Sequence, residues 1–305
     1  MIPSEFFKQL FHYFVRLPIF SLRLCRNRFS ALENISKICP DGPKAASYYD
    51  AILRACNTHL FLKGQSPERL FTLYNLISTI READSFIYPF LTKKTLTCFN
   101  GFHNLEILSE SYEKGPVLIL YAHTGSYYQT TASTGILGYK VYPIAYGIDL
   151  STMDKPLRWL FWLNMTLSAR HFSGGHYLYS NTPSLSLFLK KIISKKEKAI
   201  LYSAIDLPPS FINLKRLKVP FLEGKTALPY KLIDIFIHHR FPVIIAFSSI
   251  QIIEDRLKRM LRFEAIPENL TSIEILHFYA SHLETFIGKN PEQFLNLINL
   301  EDYYV

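Results

Sequence analysis

The stretch Lys114-Gly115-Pro116-Val117-Leu118-Ile119-Leu120-Tyr121-Ala122-His123-Thr124-Gly125-Ser126-Tyr127-Tyr128 decides how the rest of the chain reads. Residues 117–121 are apolar without alternation, the pattern of a strand buried on both faces. They run directly into a histidine, then into glycine and serine where a helix should begin. Runs of the same kind occur at 141–146, 199–205 and 243–247, separated by amphipathic segments at 126–137, 156–169, 184–194 and 228–238. Buried runs alternating with helical segments predict an α/β fold, with a central mixed sheet flanked by helices. Residues 262–266 add a late strand, and 273–287 with 291–298 read as a helical C-terminus. Upstream, periodic apolar positions through 46–62 and 68–80 predict helices. The expected organisation is therefore a helical N-terminal region, 1–95, and an α/β domain, 96–305.

The 305 residues carry 34 Lys and Arg against 25 Asp and Glu, a formal charge of +9, and 49% of them are hydrophobic against 19% charged. That apolar fraction is ample for a core and excludes a largely disordered chain. The cysteines, Cys25, Cys39, Cys56 and Cys98, form no CxxC pair, so neither a zinc knuckle nor a disulfide framework is expected, and reduced, cytosol-facing thiols are the default. Lys and Arg are interleaved with Phe, Leu and Ile, which suits an anionic membrane face and not nucleic acid. No stretch of 18 apolar residues supports a spanning helix. In 5–17, Phe7, Leu10, Phe11 and Phe14 form one stripe and Lys8, His12 and Arg16 another. This is an amphipathic helix that either lies in a headgroup region or packs on its own domain.

In an open α/β sheet, ligands bind beyond the carboxyl ends of the strands, where helix N-termini offer free N–H groups. His123 stands where a general base would sit, able to deprotonate a hydroxyl or amine attacking a thioester. Its alternative role is that of a satisfied core histidine. Ser126, at a helix start, reads as a cap before a nucleophile. His171 and His176 straddle Ser173-Gly174-Gly175 without a local third ligand, which favours a polar loop over a metal site. Lys215-Arg216-Leu217-Lys218 is either a receptor for phosphates or an acidic carrier protein, or a solvated loop. Arg256, Lys258, Arg259 and Arg262 read as a surface face.

Taken in order, several elements resemble the bacterial lipid A biosynthesis acyltransferases, within the lysophospholipid acyltransferase superfamily. They are Phe99-Asn100-Gly101-Phe102-His103-Asn104-Leu105, Lys114-Gly115, His123-Thr124-Gly125, Gly174-Gly175, Ile205-Asp206, Val219-Pro220-Phe221 through Gly224-Lys225-Thr226-Ala227, and Pro291-Glu292-Gln293-Phe294. The resemblance spans about 190 residues. It implies a lysophospholipid acyltransferase-like fold and an enzyme that moves an acyl group from an acyl carrier protein or CoA thioester to a hydroxyl or amine of an anionic lipid or lipid-like acceptor. His123 would be the base, with Tyr128 in the position of the family's acid. Thr124 and Gly125 would hold the oxyanion through their backbone, and Ser126, Asp206, Lys215, Arg216, Gly224 and Lys225 would contact substrate. It implies no bound cofactor or metal, no nucleic acid, and a peripheral location on the cytoplasmic side of the inner membrane.

The chain departs from the family at three places. Tyr128 replaces the acid, Ala145-Tyr146-Gly147-Ile148-Asp149 lacks the Arg after the second strand, and Asn296-Leu297-Ile298-Asn299 replaces the closing Trp-x-His-Arg-Arg. A phenol accepts a hydrogen bond but carries no charge at neutral pH. Either His123 works with Tyr128 or borrows a carboxylate from Asp149 or Asp206, or a different acyl group is moved in a specialised pathway, or the chain is an inactive relative that binds lipid or carrier protein.

Overall fold

The computed structural model describes residues 45–145, 155–180, 182–209, 214–253 and 256–305. The expected 5–17 helix and Asp149 lie outside the described residues. Helix α1 (Ala45–Thr58) and the long α2 (Pro67–Ile87) precede α3 (Lys93–Phe99), β1 (Asn100–His103) and α4 (Leu105–Glu113). Then come β2 (Val117–Tyr121), α5 (Tyr127–Ile136), β3 (Val141–Ala145), α6 (Lys155–Ser168), β4 (Leu178–Tyr179), α7 (Pro183–Lys195) and β5 (Ile200–Ala204). A hairpin, β6 (Arg216–Phe221) and β7 (Gly224–Pro229), leads into α8 (Lys231–His238), β8 (Val243–Ile253), β9 (Arg256–Ala265) and α9 (Ser272–Lys289). Two 3₁₀ segments, Pro291–Gln293 and Leu295–Tyr303, follow.

Among the described residues the main sheet has seven strands in the order β1-β9-β8-β2-β5-β3-β4. From β8 to β4 every neighbouring pair is parallel, while β9 runs antiparallel to β8. This is the expected mixed α/β sheet, and the unbroken apolar runs sit at its centre because both faces are covered. Leu118, Leu120, Leu201, Val243 and Ile245 enter one core with α7, α8 and α9. Their neighbours Val117, Ile119, Ile200, Tyr202 and Ile244 enter another with Leu108 of α4. Burial of each such aliphatic side chain stabilises by about 1.5–3 kcal/mol. None of the helices among the described residues is long and apolar enough to cross a membrane.

Some expected elements differ. The helix anticipated at 228–238 begins only at Lys231, because residues 216–229 pair with each other as an antiparallel hairpin. The segment 291–298 is not a regular helix; Phe294 between the two 3₁₀ segments is extended and bridges Thr124.

Helix α2 begins at an N-cap, Ser66, whose hydroxyl accepts from the Arg69 N–H, with Pro67 in the first turn where its missing N–H costs nothing. Farther along, α2 sends Arg81 and Asp84 inward among Ile77, Ile80, Ala83 and Ile87. Asp84 is buried against the Arg259 guanidinium of β9, whose Nε lies 3.0 Å from each carboxylate oxygen. The expectation that Arg259 belongs to a surface face is therefore corrected: it is one of the largest fully buried side chains among the described residues, and its charge is compensated across the interface between α2 and the sheet.

Removing one member of a buried pair strands the other charge in a dry interior. Asp84→Ala should accordingly lower the urea-measured unfolding free energy by about 3–5 kcal/mol, and the apolar double replacement Asp84→Leu/Arg259→Met should recover most of it.

Candidate active site

Strands β2 and β5 are parallel neighbours in which residue i of β2 faces residue i+83 of β5, from Val117↔Ile200 to Tyr121↔Ala204. Carried two residues past the last ladder pair, the same offset sets His123 opposite Asp206. Side chains that share a register position in a parallel pair project to the same face, and here they meet. His123 Nδ1 lies 2.8 Å from Asp206 Oδ1, and the His123 N–H donates to Asp206 Oδ2 at 2.7 Å.

An ionised carboxylate only accepts, so Nδ1 carries the hydrogen, and a neutral ring then keeps its lone pair on Nε2. Nε2 makes no hydrogen bond among the described residues, and the side chain is 17% exposed whereas Asp206 is fully buried. The ring is bracketed by Tyr121, 5.8 Å away between centroids, and by the edge-on ring of Tyr127 at 4.9 Å. Asn296 Nδ2 adds a contact to Asp206 Oδ2 at 3.4 Å, and the Tyr303 hydroxyl donates to the Asp206 carbonyl. Burial, with the Asp206 charge beside it, pushes the Tyr303 phenol well above its ordinary value, so it remains a donor.

The residues after His123 are held by the C-terminal segment. The Leu295 N–H donates to the His123 carbonyl at 2.9 Å and the Gly125 N–H to the Gln293 carbonyl at 2.9 Å, the two bonds of an antiparallel bridge. Gln293 is itself fixed by both ends of its amide to the main chain of Ile250 in β8. Arg81 closes the assembly, its Nε on the Gly125 carbonyl and its Nη2 on that of Gln293, both at 2.6 Å. Burial lowers the Arg81 pKa from its usual value, and its Nη1 has no hydrogen-bond partner among the described residues.

Several expected roles change. Tyr128 is not the partner of His123, because Asp206 occupies Nδ1; its ring stacks on Tyr127 at 4.5 Å in a cluster with Leu76, Ile80 and Ala132, and burial drives its phenol well above the ordinary value. The backbone N–H groups of Thr124 and Gly125 cannot face an oxyanion, since they are already bonded to the carbonyls of Ala122 and Gln293. Ser126 is fully buried and donates to Asp84, which leaves it neither a nucleophile nor a substrate contact, and it makes no side-chain cap. Asp206 is enclosed and committed to His123, so it orients the ring and does not touch substrate.

The basic loop is not gathered at the ring. Lys215 is exposed, and Arg216 Nη1 ties the carbonyls of Leu207 and Ala227 together at 3.0 and 2.9 Å, clamping the chain just after Asp206. Gly224 and Lys225, at the hairpin turn, line a cavity of about 530 Å³ with His59, Glu223 and Tyr304 that does not include His123. A smaller cavity between α1 and residues 297–302 is likewise elsewhere. His171 Nε2 lies 3.0 Å from the Tyr88 carbonyl and His176 Nδ1 2.6 Å from that of Gly174, and no group of metal-ligating residues occurs among the described residues.

Gly125 occupies left-handed backbone at φ +47°, and a Cβ there would stand 2.5 Å from the Ser248 carbonyl oxygen; Gly138, at φ +103°, has nothing within 4 Å. Gly138→Ala should cost about 1–2 kcal/mol from conformation alone, and Gly125→Ala about 1–3 kcal/mol beyond that from overpacking, as read by denaturant unfolding of the two variants side by side. No protein-family model matches the chain, and no curated protein matches it.

Proposed function

We propose that the chain is an acyltransferase with a lysophospholipid acyltransferase-like fold, which uses His123, oriented by Asp206, as its general base. The observation that carries this reading is the buried carboxylate on Nδ1 together with an Nε2 left without a hydrogen bond among the described residues. The donor is an acyl thioester on carrier protein or CoA, and the acceptor is a hydroxyl or amine on a lipid-like molecule. Nε2 takes the proton of the acceptor as its oxygen or nitrogen attacks the thioester carbonyl carbon. The tetrahedral intermediate then collapses, the C–S bond breaks, and the Nε2 proton passes to the departing thiolate, giving an ester or amide and a free thiol. The Asp206 charge stabilises the imidazolium formed between those two transfers. The carboxylate that the resemblance places five residues after the histidine is supplied here from the neighbouring strand.

With Thr124 and Gly125 committed, the oxyanion falls to the start of α5. The first N–H groups of a helix have no acceptor within it, and those of Tyr127 and Tyr128 follow directly on the His123 loop. Arg81, buried beneath Gly125 with no carboxylate in the ion pairs of the described residues, adds a fixed positive charge to the same side.

The test is turnover by the full chain with acyl carrier protein thioesters and lipid acceptors, with products identified by mass spectrometry. His123→Ala should reduce kcat by about 10²–10⁴-fold, and Asp206→Asn by up to about 10⁴-fold through loss of the ring's orientation and charge support. Tyr128→Phe should stay near the parent rate, since its hydroxyl does not meet the ring. Full activity in His123→Ala or Asp206→Asn would overturn the mechanism, and absence of transfer from every thioester tried would favour a binding role.

A further inference from the structure

The chain has two tryptophans, Trp159 and Trp162, and both lie on α6. They project outward, 52% and 59% exposed, on the stripe that continues to exposed Thr166. Large aromatic rings are ordinarily among the most valuable groups to bury, so two on the outer face of one helix need an occupant. A third exposed aromatic side chain, Phe90 at 65%, lies on the turn Tyr88–Phe90, which packs against α6 and the turn that follows it. The rim is cationic. The Arg170 guanidinium carbon stands 6.0 Å from the Phe90 ring centroid, Lys93 and Lys94 are exposed just beyond, and α6 contains no acidic residue. At 14 residues α6 is about 21 Å long, too short to span a bilayer.

We infer that the outer face of α6, with Phe90 and the cations around it, docks the protein on the headgroup region of an anionic bilayer. Tryptophan suits that region because its ring is apolar and its indole N–H is polar, and Arg and Lys at the rim meet the lipid phosphates. The complementarity of an acid-free aromatic helix, a basic rim and a chain of charge +9 selects a lipid surface over a second, equally basic copy of the chain. The position also serves the proposed reaction. Ser168, at the inner end of α6, bonds the Tyr177 hydroxyl at 2.9 Å, and α2, which carries Arg81 to the His123 loop, packs against α6. The inference rests on the proposed function only for this link, since docking is measured without turnover.

Because no other tryptophan exists in the chain, its emission reports this face alone. Adding vesicles of equal parts phosphatidylcholine and phosphatidylglycerol to the full chain should shift the emission to the blue and reduce quenching by acrylamide, and brominated lipid should quench it. Phosphatidylcholine alone should do so far more weakly. Trp159→Ser/Trp162→Ser should weaken vesicle co-sedimentation by about tenfold or more. Arg170→Glu/Lys93→Glu/Lys94→Glu, which keeps the fluorophores, should abolish the preference for anionic vesicles. His123→Ala should bind vesicles like the parent, so that failed catalysis and failed docking are read separately. Co-sedimentation with unchanged emission would place the docking surface elsewhere and overturn the inference. So would absence of binding to anionic vesicles, or an emission shift produced by raising the protein concentration or adding an acidic carrier protein while vesicles produce none.

Discussion

The hydrogen bond between His123 Nδ1 and the buried carboxylate of Asp206 is the contact around which the candidate site is organised, and the register of two parallel strands makes it. The two residues are 83 positions apart in the chain. Adjacent strands of a parallel sheet nevertheless present same-offset residues on the same face, and the polar residues that end the two buried runs fall on one offset. Taking a carboxylate out of water is costly unless its oxygens are bonded. The bonds to Asp206 from the His123 ring, the His123 N–H and the Asn296 amide offset that cost and leave no freedom in how the imidazole is presented.

The loop that follows depends on distant parts of the chain. Gly125 lies so close to β8 that a methyl group would collide with the Ser248 carbonyl, and its N–H and carbonyl are bound by Gln293 and Arg81 respectively. The resulting assembly joins α2, the His123 loop, β8 and the C-terminal segment, and the Asp84–Arg259 pair anchors α2 to the sheet beside it. Rigid support from several elements is what a base needs if its lone pair is to meet an incoming proton repeatedly at one angle. The helical segment before residue 95 therefore supplies side chains that hold the site.

What could be read from the residues alone follows from how local the physics is. The four central strands were legible because burial on both faces writes an unbroken apolar run, and His123 because a polar residue ending such a run is conspicuous. The edge strands Asn100–His103 and Leu178–Tyr179 carry no such run. Asp206 was visible as a strand-end acid, but its partnership with His123 required the pairing of β2 with β5. Arg259 looked like one of a row of surface cations because the acid that neutralises it lies 175 residues away. Arg81 and Asp84 did leave a signal, two charges three residues apart on the apolar face of a helix. The oxyanion role expected of Thr124 and Gly125 failed for a related reason, since their N–H groups are committed by the loop's own turn and by Gln293, and the latter contact is not a local one.

The proposed mechanism turns on which nitrogen of the His123 ring carries the hydrogen. Long-range ¹H–¹⁵N correlation spectra of ¹⁵N-histidine-labelled protein, at a pH where the ring is neutral, report this directly. The Asp206 contact predicts a protonated Nδ1 and an unprotonated Nε2 in the parent protein, with that preference lost in Asp206→Asn. A His123 ring protonated on Nε2, or one indifferent to residue 206, would contradict it.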